Sequence, residues 1–370
     1  MNVLHYVDEN KLSWGEAWIQ LLKQLARLGV ENHVVCRNGG VLLSRLREEG
    51  ISAAGYKPAA QWLPQIAYGF GRILDTLKPD LIHTRLSSAA TVGGWWGKKK
   101  GIPVLETIDK FPKRHYHENA SLLLPCSNAV AEHMYSLGFS REMTEVVPNA
   151  IEVDRYRRDE SVRQQMRAEH GISDGQTVVV GAGRLVDWKG FADLIRGFAL
   201  SDVPNKNGKL WIVGSGPEKE NLQRLAQDLN LNGSVEFTPF VQDIRPYLWA
   251  SDVFVQPSCG SEAFGIVLIE AMAASLSCIA TLNGGMKDII ADGVSGLHVP
   301  IRDAAAIASA LNENMNPAFR SQLSQNALNC VRRYDVESVA LQTYSIYEKY
   351  ARRRSVCSIE DIRTDKEALH

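Results

Sequence analysis

The sequence predicts an α/β protein of two doubly wound domains facing across a cleft, each a parallel sheet with helices on both faces. Three observations predict it. Short apolar runs alternate with helical stretches from the first residues onward, and the same series restarts at Val178. A length of 370 residues exceeds one ordinary domain and suits two. A hydrophobic content of 45% lets each half bury a core of its own. Such β–α alternation is Rossmann-like, and ligands of these sheets sit beyond the carboxyl ends of the strands.

Taken in order, residues 2–7 read as a strand, followed by a loop holding Gly15 and an amphipathic helix over 16–28 that Gly29 stops. Further strands are expected at 34–36, 80–83, 104–108, 122–126 and 145–147, with helices at 67–77 and 128–137 between them. The domain boundary is placed at 165/166, within the stretch after Pro148-Asn149, so the domains are 1–165 and 166–335. A helix follows at 336–354, and 355–370 reads as a polar, frayed tail.

Composition removes several function classes. A net charge of −1 gives no global attraction to nucleic acid or membranes. The six cysteines are scattered without a C-x-x-C pair, which argues against a zinc site or disulfide framework and fits a reducing, cytoplasmic setting. No apolar run approaches the ~18 residues of a membrane span. The first strand begins at the initiator methionine, so no signal peptide is expected.

The chemistry concentrates in the second half. Thr177-Val178-Val179-Val180-Gly181-Ala182-Gly183-Arg184 reads as a buried strand running into a glycine turn, and Lys189-Gly190 leads into the next helix. Glycine lets a ligand approach the backbone, a helix N-terminus attracts anions, and an Arg fork and a Lys point charge both suit phosphate oxygens. Trp211-Ile212-Val213-Gly214-Ser215-Gly216-Pro217 repeats the pattern. Neither turn carries the full dinucleotide fingerprint with its acid. Glu262 and Glu270 then bracket a run of apolar residues that reads as a helix, buried all round, from Gly265 to Ala274. A carboxylate in such a helix needs a partner. Eight helical residues rise about 12 Å, roughly the span from sugar to ribose in a nucleotide sugar. Glu262 beside a helix dipole and Glu270 in a structural ion pair is the competing reading.

In this order the segments resemble the family-4 retaining glycosyltransferases, which have the GT-B fold. The matching pieces are GxGRLxxxKG at 181–190, GSGP at 214–217, EFTPFVQDIRPYLWASDVFVQPS at 236–258, the glutamate pair, and NGGMKDIIADGVSGLHVP at 283–300. The resemblance implies that Arg184 and Lys189 grip the donor diphosphate and stabilise the charge of the leaving group, which is electrostatic catalysis. It implies that Glu270 binds the ribose hydroxyls and Glu262 those of the transferred sugar. The backbone at Ala263, Phe264 and Gly265 would orient sugar and phosphates, beside the turns at Gly183, Gly214 and Gly216. Gly15 would let the first domain close on the phosphates, and the base would lie near Phe240 and Val241. The final helix would return to the first domain. No metal and no cofactor is implied.

One departure bears on catalysis. The family usually has Thr-x-His-Gly where this chain has Thr107-Ile108-Asp109-Lys110. Asp109 would accept hydrogen bonds from sugar hydroxyls and stabilise positive charge at the anomeric carbon; the alternative is an aspartate that caps a turn. His83 or Arg85, at a strand end, would touch sugar or acceptor, although a lone strand-end histidine is more often structural. Ala274-Ser275 replaces a customary glycine, and Asp288 a customary glutamate.

The acceptor side resembles bacterial enzymes of lipopolysaccharide core and other surface polysaccharides. Lys98-Lys99-Lys100, Lys113-Arg114 and His115-Tyr116-His117 would meet a phosphorylated saccharide or an anionic inner-leaflet surface, or else form a solvated face. Trp14, Trp18, Trp62, Trp95 and Trp96 offer stacking platforms or core residues, and an apolar helix read over 62–77, extending the 67–77 pattern, would touch a membrane or pack on the sheet. The partners implied are a nucleotide-sugar donor, a UDP-sugar first among them, and a saccharide or lipid-linked saccharide acceptor, with no nucleic acid. A sugar-nucleotide epimerase and a degenerate donor-binding partner without turnover are the alternatives.

Overall fold

The computed structural model describes residues 1–11, 15–60 and 62–367, with side chains through residue 351. It divides into two compact units, Met1–Ala150 with Val336–His370, and Ile151–Asp335. The first unit holds strands β1 (Asn2–Val7), β2 (Glu31–Cys36), β3 (Ser52–Gly55), β4 (Leu81–Arg85), β5 (Val104–Ile108) and β6 (Leu122–Pro125). They are all parallel, in the order β3-β2-β1-β4-β5-β6. Helices α1 (Gly15–Arg27), α2 (Val41–Glu48), α3 (Tyr68–Leu77), α4 (Ser87–Lys100) and α5 (Asn128–Ser136) connect them. The C-terminal helix, Val336–Glu367, buries Ile346 and Tyr347 in the core that holds Val3, Ile19 and Leu22.

The second unit repeats the plan. Strands β7 (Val178–Ala182), β8 (Lys209–Val213), β9 (Val235–Thr238), β10 (Val253–Gln256), β11 (Ser277–Thr281) and β12 (Leu297–Val299) form a parallel sheet ordered β12-β11-β10-β7-β8-β9. Its helices are α6 (Glu160–Glu169), α7 (Phe191–Leu200), α8 (Lys219–Asp228), α9 (Arg245–Ala250), α10 (Ile266–Ala273), α11 (Met286–Ile289), α12 (Ala304–Glu313) and α13 (Pro317–Val331). Counted within its own unit, each sheet has the classical order 3-2-1-4-5-6. The order reverses between β1 and β4 and between β7 and β10, and beyond these strand ends such folds take ligands.

The structure departs from the sequence reading at four places. The units part at Ala150/Ile151 rather than 165/166. The reason is α6, whose Arg163 and Arg167 donate to the carbonyls of Trp249, Ser251 and Ala250 and to Asp252 of the second unit. Residues 145–147 form no sheet strand. An isolated bridge at Thr144, two hydrogen bonds to β6 and one from Gln342 Nε2 to Val146 O tie them, and Pro148 has no N–H with which to extend the ladder. The helix expected over 62–77 is cut at Ala67 into a short turn, Pro64–Ile66, and α3. The tail expected from 355 continues the last helix to Glu367, since no Gly or Pro after Pro317 stops it. Ser275 sits at φ +60°, a left-handed conformation costing about 1 kcal/mol. Arg158 donates to its carbonyl at 3.0 Å.

Candidate active site

The turns after β7 and β8 are built against each other. Gly183 N donates to Val213 O at 3.0 Å and Leu185 N to Ser215 O at 3.0 Å. A Cβ on Gly214 would stand 1.9 Å from Gly183 O, and one on Gly216 2.1 Å from Leu185 O. Both positions therefore require glycine for close backbone packing, whatever binds above them. Arg184 projects from this double turn, exposed and, among the described residues, without an ion-pair partner.

Lys189 and Glu262 meet at the point where the strand order reverses. Lys189 Nζ lies 2.5 Å from Glu262 Oε2 and 4.7 Å from the centre of the Trp188 ring. Ser258 Oγ and Gln256 Nε2 donate to the same carboxylate oxygen at 3.1 and 3.3 Å. Backbone bonds fix the pair: Cys259 N and Gly260 N both donate to Trp188 O, at 2.8 and 3.0 Å. From the other side Gly285 N donates to Glu262 O at 2.9 Å, and a Cβ on Gly284 would come within 2.0 Å of that oxygen. The double glycine thus exists to let the turn after β11 clamp the peptide that carries Glu262.

Glu262 is not helical, which corrects the expected 12 Å ruler between the two glutamates. Gly265, at φ +120°, caps α10, and the helix starts only at Ile266. Nor is α10 buried all round: Ile266 is exposed and Glu270, one turn on, is half-buried, so one stripe stays open. The partner that a buried carboxylate demands is Tyr156, whose hydroxyl donates to Glu270 Oε1 at 2.7 Å. Burial pushes the Glu270 carboxyl up to about 7; the Tyr156 bond opposes that rise and the charge of Asp243 adds to it. Sequence reasoning found the need for a partner but not Tyr156, which lies 114 residues away.

The other donor-side residues scatter. Phe264 is buried with its ring against Tyr334, so only its backbone is offered to a ligand. Ala263 and Val241 are half-buried. Phe240 is 74% exposed at the end of β9, tied to the β8 turn through its N–H to Ser215 Oγ at 3.1 Å.

In the first unit, Arg85 grips Asp109 with two hydrogen bonds, Nε to Oδ2 at 2.5 Å and Nη2 to Oδ1 at 2.9 Å, and also donates to Asn149 Oδ1 at 2.7 Å. Asp109 is therefore an ion-pair residue, which neither sequence reading anticipated. His83 is corrected to a structural residue. Tyr347 OH lies 2.5 Å from its Nδ1 and Thr107 Oγ1 2.7 Å from its Nε2, and burial holds the ring well below its ordinary pKa. Both nitrogens are occupied, so none faces a sugar. Gly15 is the buried first residue of α1 rather than a loop glycine, and Trp14 lies outside the described residues. Trp18 and Trp96 are core residues.

Asp109 lines a cavity of about 740 Å³ at the ends of β4 and β5. Its wall includes Trp62, Ser87, Lys110, His115 and Tyr116, a mixture of hydroxyl, cation and ring suited to a polar ligand. His117 also lines it and pairs with the buried Glu106, Nδ1 to Oε2 at 2.7 Å. Sequence spacing alone flagged the basic 113–117 stretch but not its junction with Asp109.

The chain matches the profile of "Glycosyl transferases group 1" over residues 162–329 and that of "Glycosyltransferase Family 4" over 17–155. It is 30% identical over 347 residues to the lipopolysaccharide core biosynthesis glycosyltransferase LpsD of Rhizobium meliloti (strain 1021), covering 93% of this chain and 97% of that protein. Its match to LpsE of the same organism, at 32% identity, spans 61% of this chain and 64% of LpsE. Among solved structures it is similar to Anabaena HepE in complex with UDP, with a TM-score of 0.82, 22% identity, and 94% of this chain and 100% of that one covered.

Proposed function

The chain belongs to the family-4 glycosyltransferases, with the GT-B fold, and from that premise we propose that it transfers a hexose from a UDP-sugar to a saccharide hydroxyl, with retention of configuration and without a metal ion. The acceptor belongs to lipopolysaccharide core or another surface polysaccharide; the names of LpsD and LpsE support that reading, and the UDP complex of HepE supports the base. The observation that carries the proposal is the Lys189–Glu262 pair at the strand-order reversal of the second unit, with Arg184, which has no ion-pair partner among the described residues, in the turn after β7.

On this reading the diphosphate displaces the Glu262 carboxylate from part of its hold on Lys189 and recruits Arg184. As the bond from the anomeric carbon to the diphosphate breaks, both cations face the charge that builds on the leaving oxygen. The acceptor oxygen takes that place on the same face of the sugar, and its proton leaves with the diphosphate. Glu262 orients hydroxyls of the transferred sugar, and Glu270 holds the ribose. Ser87, Asp109, Lys110 and the rings of the 740 Å³ cavity hold the acceptor. The exposed Trp62, Leu63, Ile66 and Tyr68, near the Lys99 that lies over Trp96, are a surface for peripheral contact with anionic lipid.

The test is incubation with UDP-hexoses and a polysaccharide-core acceptor, with UDP release measured and the product's anomeric proton read by NMR, in EDTA and in magnesium. Retained configuration and turnover in EDTA support the proposal; an inverted product, or loss that only magnesium restores, refutes it. The engagement of Asp109 by Arg85 favours one second reading, a donor-binding partner without turnover. Tight UDP-sugar binding with no UDP release under any acceptor would select it.

A further inference from the structure

Glu270 has one oxygen committed and one not. Oε1 accepts from Tyr156, whereas Oε2 has no hydrogen-bond partner among the described residues, on the open stripe of α10. Tyr156 ends the short turn Val153–Tyr156, is the sixth residue of the second unit, and is anchored rather than merely adjacent. Trp249 Nε1 donates to its carbonyl at 2.8 Å. Arg245 reaches the neighbouring Arg155 carbonyl at 3.4 Å, is held by Asp243 through bonds of 2.8 and 2.6 Å, and lies 5.5 Å over the Trp249 ring. The phenol thus hangs from α9 and points its one donor at α10.

A carboxylate on a half-buried helix face can swing among rotamers, and a swinging acceptor reads ribose hydroxyls poorly. Resting on the reading of Glu270 as the ribose residue, we propose that Tyr156 is a positioning residue that pins Glu270 through Oε1 so that Oε2 is presented to the ribose of the nucleotide. The family profile over residues 162–329 begins after Tyr156, so nothing in that match assigns it a role. Tyr156 touches no reacting atom. Its contribution is discrimination between ribose and deoxyribose and affinity for the nucleotide, not the chemical step.

Calorimetric titration at pH 8 with UDP and with 2′-deoxy-UDP tests this on wild type, Tyr156→Phe and Glu270→Gln. Phenylalanine keeps the ring packing and removes only the donor. The expected result is a preference for UDP in wild type that falls about tenfold in Tyr156→Phe, with kcat at saturating donor nearly unchanged. Loss of melting temperature with the preference intact would make Tyr156 merely structural and overturn the proposal. If Glu270→Gln leaves the preference unchanged, the ribose reading of Glu270 fails. If Glu270→Gln abolishes it and Tyr156→Phe does not, that reading stands and the positioning role alone is refuted.

Discussion

Replacing Lys189 by alanine separates a catalytic cation from a structural one. The ammonium and the Glu262 carboxylate retain 17% and 15% of their side-chain exposure, so the pair stands between a surface and a buried ion pair. Surface pairs are worth about 0–1 kcal/mol, and breaking a buried one costs about 3–5 kcal/mol. Glu262 keeps Ser258 and Gln256 as donors after the change, which limits the penalty to about 1–2 kcal/mol. That is a fall of a few degrees in melting temperature. Loss of one donor aimed at developing charge costs about 10²–10³ in kcat, or roughly 3–4 kcal/mol. The expected signature of Lys189→Ala is therefore a catalytic loss that exceeds the stability loss, together with weaker binding of free UDP. UDP release from the preferred donor, calorimetry with UDP, and a thermal melt measure the three. A kcat within about threefold of wild type, or unchanged UDP affinity, would refute the role given to Lys189.

Three further expectations follow from the same geometry. Glu262→Gln frees Lys189 from its anion, so free UDP should bind as well as to wild type or more tightly, while kcat falls at least about tenfold; calorimetry beside turnover checks it. Asp109→Ala removes the carboxylate from Arg85, whose bond to Asn149 remains; turnover should fall at least about tenfold, and Asp109→His should recover part of it. A silent alanine variant would leave Asp109 a purely structural ion pair. The third concerns pH. The folded Glu270 carboxyl holds its proton up to about 7 while the unfolded chain releases it near 4.5, so the folded state binds the extra proton between those values. Stability should therefore fall as pH rises from about 4.5 to 7, by at most about 3 kcal/mol, less whatever solvent screens at its open edge. Melting curves of wild type against Glu270→Gln read this slope, which should vanish in the variant.

The two sheets were legible because their strands are continuous apolar runs, Val178-Val179-Val180 and Leu122-Leu123-Leu124 among them, which only a sheet covered on both faces can bury. Strand β3 and helix α2 escaped notice; Ser52-Ala53-Ala54-Gly55 has too little apolar side chain to signal a strand. Which glycines were needed was legible, but not why. Gly214 looked like a ligand cradle, and both it and Gly284 are packing contacts between turns that are far apart in sequence. The long-range ion pairs and the buried histidine's hydrogen bond were not legible at all. Lys189 and Glu262 are 73 residues apart, Arg85 and Asp109 24, and His83 and Tyr347 264, and each meeting depends on strand order rather than on local pattern.

The account's central claim is that the second unit is a nucleotide-sugar site in which Glu270 holds the ribose. Thermal melting of wild type and Glu270→Gln against a panel of nucleotide sugars tests it most directly. A ligand that binds only the folded state adds about 2.7 kcal/mol of stability at a hundredfold excess over its Kd. The account predicts a selective rise with one UDP-sugar in wild type and little or none in Glu270→Gln. No rise with any nucleotide sugar, or an equal rise in both proteins, would contradict it.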